Sequence, residues 1–217
     1  MIELEIPAGG SLVSASVHGD GGTAVILGHG AGGDRRTPFL VDLAEALAAS
    51  GRRAILYNFP YTERRRRVPD PPAVLEATTR AVGEHARSGL GAARVVHGGK
   101  SMGGRIASQV VAQGAPADAL VFLGYPLHPP GRPEKRRDAH LPSVPCPMLF
   151  VQGTRDAFAR WDLLEEVLGR LGAKATLHRV EDGDHSFAVP RRTGRSKADV
   201  EGEMRRAVVS WLDSRGL

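Results

Sequence analysis

From residue 24 onward, short apolar runs alternate with longer segments whose apolar residues recur at helical spacing. Ala24–Leu27, Ala54–Tyr57, Arg94–His97, Leu120–Leu123, Met148–Val151 and Ala175–Val180 have strand length. Between them, helical spacing predicts helices over Pro38–Ala49, Ala73–Ala86, Gly104–Ala112 and Trp161–Leu171, with a last amphipathic helix over Lys197–Leu212. The first of these places Phe39, Leu40, Leu43, Ala46 and Leu47 on one face. Such alternation predicts an α/β fold, a mostly parallel central sheet flanked by helices. Ile2–Ile6 and Ser11–Val17 read as a hairpin added at one edge. At 217 residues with no shift in composition, the chain is expected to form one domain spanning 1–217.

Within that pattern, Gly99-Lys100-Ser101-Met102-Gly103 joins a strand to a helix. A G-x-S-x-G turn of this kind is too tight for side chains at its flanks, and it lifts the serine hydroxyl above the sheet edge. A serine hydroxyl needs a base within hydrogen-bond reach to act as a nucleophile. His185, after the last strand, is the candidate base, because loops that follow parallel strands gather at one rim. Asp156, directly after the strand ending at Val151, is the candidate acid that would hold the imidazole; Asp182 and Asp184 stay open as alternatives. Acyl transfer also needs donors for the developing oxyanion. The Met102 amide is one candidate, and Ala31 or Gly32 in the His29–Gly33 loop supplies the other. That loop lacks G-x-G-x-x-G and the chain has no Walker A motif, so no nucleotide cofactor is expected.

Other features carry plainer readings. His97, His128, Asp138 and His140 match no metal-ligand spacing, so no metal is expected and loop or core roles are. Lys100 either binds an anionic substrate or faces solvent, while Met102 and Tyr125 line an acyl pocket or belong to the core. The net charge is +5 and Arg64–Arg67 is the densest basic run. With 5% aromatic residues and no Arg-rich helix or zinc-finger spacing, it reads as a solvated loop, not as a nucleic-acid site. No apolar run could span a bilayer, and Met1–Glu5 has no leader character, so neither membrane nor export is expected. The lone Cys146 reads as a small packing residue, which favours a reducing, cytoplasmic setting.

The order Ser101, Asp156, His185 resembles that of the α/β-hydrolase superfamily, near its dienelactone hydrolase-like members. Gly98–Arg105, Gly124–Gly131 and Phe150–Asp156 look like one small branch of it. That branch includes testis-expressed protein 30 and the hydrolase-like domain of regulatory subunit 3 of the non-specific lethal histone acetyltransferase complex. The resemblance implies a compact hydrolase fold and triad roles for Ser101, Asp156 and His185. Dienelactone hydrolases proper carry a cysteine where Ser101 stands, so lactone opening does not follow. The expected activity is cofactor-independent cleavage of a small ester or thioester, with a small acyl substrate as partner. The alternative is a catalytically silent hydrolase-like binding or scaffold module. The connections Tyr57–Pro72 and Leu123–Pro145 are too short to hold much of a lid, which leaves the site open. Oligomeric state is left undetermined.

Overall fold

The computed structural model describes residues 1–8 and 10–217. Its strands are β1 (Ile2–Ala8), β2 (Ser11–His18), β3 (Thr23–Gly28), β4 (Arg53–Tyr57), β5 (Arg94–Lys100), β6 (Ala119–Leu123), β7 (Met148–Gly153) and β8 (Ala175–Val180). They form one eight-stranded sheet in the order β1-β2-β4-β3-β5-β6-β7-β8. The hairpin β1–β2 pairs antiparallel within itself and with β4, and every pairing from β4 to β8 is parallel. The helices are α1 (Pro38–Ala49), α2 (Pro60–Glu63), α3 (Pro72–Glu84), α4 (Met102–Ala112), α5 (Trp161–Leu171) and α6 (Lys197–Ser214).

Side chains alternate across the sheet and divide the core in two. Val25, Leu27, Val121, Leu123, Leu149 and Val151 pack with α1 and α6 on one face. The intervening Ala24, Ile26 and Val95 pack with α3 and α4, and Leu120, Phe122, Met148 and Phe150 with α4 and α5, on the other. Both faces are covered, which is why the strands read as unbroken apolar runs. At the start of α6, Ser196 Oγ accepts from the Asp199 amide at 3.2 Å, and Asp199 Oδ2 accepts from the Ser196 amide at 2.8 Å. This reciprocal cap fixes where the last helix begins.

Three elements depart from expectation. β5 continues through Gly98 and Gly99 to Lys100, because their backbones keep the ladder with β3 and β6 although they add nothing to the apolar run. α3 stops at Glu84 and widens into a five-residue turn, His85–Gly89, closed by Leu90 N–H to His85 O at 3.0 Å. α2 is too short to show a period in sequence. Arg64–Arg67 lies exposed just after it, and Arg64 donates to both Asp70 oxygens at 2.7 and 2.8 Å. Between β6 and β7 the described residues form only a single three-residue helical turn, Leu141–Ser143. Among the described residues no helix is long and apolar enough to cross a membrane.

His97 belongs to the core. It points from β5 into α3, where a Cβ on Gly83 would meet its ring at 2.7 Å. Its Nδ1 has no hydrogen-bond partner among the described residues. Burial, helped by Arg87 and Arg80, lowers its pKa to about 4. An unfolded histidine binds its proton near pH 6.5. Between these values the unfolded state therefore holds the extra proton, and stability falls as pH drops from about 6.5 to 4. His97 alone contributes about 3 kcal/mol to that loss. Denaturant titrations at steps across this range should show a shallower loss in His97→Gln. An equal slope in both proteins would assign the acid sensitivity elsewhere, to His18, His29 or His140, whose pKa values burial also lowers.

Candidate active site

Ser101, Asp156, His185 and the His29–Gly33 loop all follow the C-terminal ends of parallel strands, so the topology gathers them at one rim. Ser101 sits between β5 and α4 with φ +50° and ψ −112°. A non-glycine residue in that region costs of order 1–3 kcal/mol, and it persists only where surrounding packing demands it. Here the demand comes from Gly28 at the end of β3. A Cβ on Gly99 would lie 2.2 Å from the Gly28 carbonyl oxygen, and a Cβ on Gly103 would lie 2.2 Å from the same atom. The two flanking glycines let β3 wedge between strand and helix, and the turn at Ser101 follows.

His185 Nε2 lies 2.8 Å from Ser101 Oγ, and its Nδ1 lies 2.8 Å from Asp156 Oδ2. An ionised carboxylate only accepts, so Nδ1 carries the proton and Nε2 is free to accept from the serine hydroxyl. The Asp156 side chain is fully buried. Gln152 Nε2 donates to Oδ2 at 2.6 Å and the Phe158 amide donates to Oδ1 at 2.8 Å, which compensates the lost hydration. Phe158 also stacks on the His185 ring, with centroids 4.0 Å apart. Asp182 and Asp184 are occupied elsewhere. Asp182 pairs with Arg192 at 2.6 Å, and Asp184 Oδ1 accepts from the Ser186 and Ala188 amides at 2.8 and 2.9 Å.

The His29–Gly33 loop lies against the serine, since a Cβ on Gly30 would come 3.6 Å from Ser101 Cβ. Buried His29 holds this loop: its Nδ1 donates to Gly30 O at 2.8 Å, and its Nε2 accepts from the Phe59 amide at 3.2 Å. Burial lowers its pKa, which matches that neutral tautomer. Ala31 and Gly32 are exposed on the loop. Met102 opens α4, where first-turn amides have no carbonyl behind them within the helix.

Lys100 is mostly withdrawn from solvent. Its Nζ donates to the His185 carbonyl at 2.5 Å and lies 4.9 Å from the Phe187 ring centroid. Burial lowers its pKa to about 8, against the opposing pull of Asp156 and Asp184. Tyr125 is core: its amide donates to Gln152 Oε1 at 2.8 Å and its hydroxyl to Arg137 O at 2.7 Å. Met102 packs in the core as well. Gln152 therefore joins the loop after β6 to Asp156. Its only sequence signal is an amide at the buried end of an apolar strand, four residues before the aspartate.

His128, Asp138 and His140 each have their own partners. His128 Nε2 accepts from the Arg160 amide at 2.9 Å, Asp138 pairs with Arg136 and Arg170, and His140 Nε2 lies 2.7 Å from Ser108 Oγ. Cys146 is buried in the core, and burial raises its thiol pKa to about 11.

Solved structures share this architecture across nearly the whole chain. A lidless α/β serine hydrolase from Xanthomonas campestris superposes with a TM-score of 0.76 at 21% identity, covering 97% of this chain and 94% of that one. An α/β serine hydrolase homologue from Coxiella burnetii gives 0.76 at 17% identity, covering 97% of each chain. Dienelactone hydrolase from Anabaena variabilis gives 0.75 at 19% identity, covering 98% and 96%. At these identities the likeness is one of fold. A family model described as an alpha/beta hydrolase domain matches residues 21–213, and the chain belongs to that family.

Proposed function

We propose that this chain is a serine hydrolase that cleaves a small ester or thioester through Ser101, His185 and Asp156. The observation that carries the reading is the unbroken hydrogen-bond path from Ser101 Oγ through His185 to buried Asp156. Ser101 Oγ attacks the acyl carbon while its proton passes to His185 Nε2, and Asp156 stabilises the imidazolium. The oxyanion rests on the Met102 amide and on the amide of Ala31 or Gly32. His185 returns the proton to the leaving oxygen or sulfur as the acyl bond breaks. Water, activated by the same imidazole, then releases the acyl-enzyme.

The branch resemblance in Gly98–Arg105 and Gly124–Gly131 adds a competing reading, a silent scaffold built on the same fold. A scaffold has no need of a strained serine aligned with a histidine and a buried acid. Asp70 engages Arg64, and the exposed Arg64–Arg67 run, with no aromatic side chain within it, reads as a solvated loop. The single cysteine, buried, suits a reducing cytoplasmic compartment. A fluorophosphonate probe separates the two readings. Labelling of the wild type that disappears in Ser101→Ala is expected; a folded wild type that does not react would leave the scaffold.

A further inference from the structure

The turn that carries His185 is closed on itself. The Asp184 amide donates to Ala188 O at 3.0 Å and the Phe187 amide to Asp184 O at 2.9 Å, while Asp184 Oδ1 takes the Ser186 and Ala188 amides. One hydrogen bond joins the main chain of residues 184–188 to the rest of the described residues, Lys100 Nζ donating to His185 O at 2.5 Å. Lys100 is itself anchored, because its backbone pairs with Leu123 of β6 and its chain neighbour is Ser101. Ser101 and Asp156 thus hold the imidazole ring, and Lys100 holds the backbone from which it hangs.

The surroundings fit an ammonium reaching that carbonyl. Gly124 has φ +71°, and a Cβ there would lie 2.9 Å from Lys100 Nζ and crowd it. The Phe187 ring centroid lies 4.9 Å from the same nitrogen, within cation–π range. Among the described residues Nζ has no ion pair: Asp156 and Asp184 act on it at longer range, and burial outweighs them. On the α6 side, Lys197 pairs with Glu201 and Arg195 with Glu203. Resting on the serine-hydrolase reading, we propose that Lys100 is a positioning residue, whose charged Nζ holds the His185 carbonyl so that the imidazole stays in line between Ser101 and Asp156. A charged donor makes a hydrogen bond roughly twice as strong as a neutral one. Burial brings the Lys100 pKa from 10.5 to about 8, so the strut weakens as pH rises through that value. Between about 8 and 10.5 the unfolded chain holds the extra proton, so Lys100 makes the fold more stable as pH rises. Loss of reactivity in that range therefore runs against its effect on the fold.

The rate of fluorophosphonate labelling at Ser101, followed beside carbon NMR of labelled lysine, tests this. In the wild type the rate should drop severalfold as pH rises through about 8, in step with the titration of the Lys100 resonance. Lys100→Met, close to lysine in length and uncharged, is expected to label roughly ten- to a hundredfold more slowly at neutral pH. It should show no alkaline drop and melt close to the wild type. A residue that only supported the fold would shift the melt and leave the pH profile unmoved. Wild-type rates in Lys100→Met, or an alkaline drop that persists in it, would overturn the proposal. If Lys100→Met does not fold, the wild type decides alone, and a labelling drop that misses the Lys100 titration rejects the strut. If the probe leaves a folded wild type untouched, the hydrolase reading fails and the His185 Nδ1 proton decides the positioning. Its exchange with solvent at neutral pH should be faster in Lys100→Met, and equal exchange rejects the proposal.

Discussion

Alanine at Ser101 is expected to lower kcat toward a small aryl ester by roughly ten-thousandfold or more, with the melting temperature unchanged or slightly altered. His185→Ala should fall in the same range. The double variant should be no worse than either alone, because nucleophile and base act as one unit and the first loss leaves nothing for the second to remove. Asp156→Asn completes the series for a different reason. Both Asp156 oxygens are in use, Oδ1 accepting from the Phe158 amide and Oδ2 from Gln152 and His185. An asparagine has one acceptor oxygen, so one orientation opposes its NH2 to the Phe158 N–H and the other opposes it to Gln152 and His185. That variant should lose stability by about 1–3 kcal/mol as well as activity, unlike Ser101→Ala. Additive losses in the double variant, or full turnover in Ser101→Ala, would remove the proposed mechanism.

The second large effect comes from a methyl group. Gly103→Ala is expected to cost about 4 kcal/mol or more, which lowers the melting temperature by roughly 10 °C. The new Cβ would lie 2.2 Å from the Gly28 carbonyl oxygen and 2.4 Å from its carbon, and neither is the end of a flexible side chain. β3 and β5 are paired on either side of that contact, so relief requires moving a central strand. Gly169→Ala is the matched control. It lies inside α5 with nothing within 4 Å of its Cβ position, so the same change should stabilise by about 0.5–1 kcal/mol through helix propensity. Thermal melts of the two variants should move in opposite directions. If both moved together, the wedge between Gly28 and Gly103 would not be what holds the turn.

The strand and helix alternation was legible because buried parallel strands are apolar on both faces, and α1 and α5 match their expected bounds. Ser101, Asp156 and His185 were legible because each follows a strand, and the structure brings all three within hydrogen-bond reach of one another in series. Strand order was not legible, since the pairing of β2 with β4 and of β3 with β5 is set by crossovers that leave no local pattern. Gln152 and Phe158 escaped notice because their roles are relational: an amide and a ring matter here only through Asp156 and His185. The bond that Lys100 makes escaped notice for the same reason. The carbonyl that accepts it is 85 residues away.

The Ser101 amide donates to Leu123 O at 3.1 Å, and the Gly124 amide donates to Val151 O at 2.9 Å. Ser101 thus hangs from the last rungs of β5 and β6, in the middle of the sheet, and Asp156 follows β7, whereas His185 follows β8 at one edge and the β1–β2 hairpin forms the other. The hairpin edge can fray without disturbing these residues, but fraying of β8 would release His185, and the centre opens only with global unfolding. In rising denaturant, partial melting of the hairpin should therefore pass without effect on turnover, whereas opening of β8 should end it even while the centre of the sheet holds.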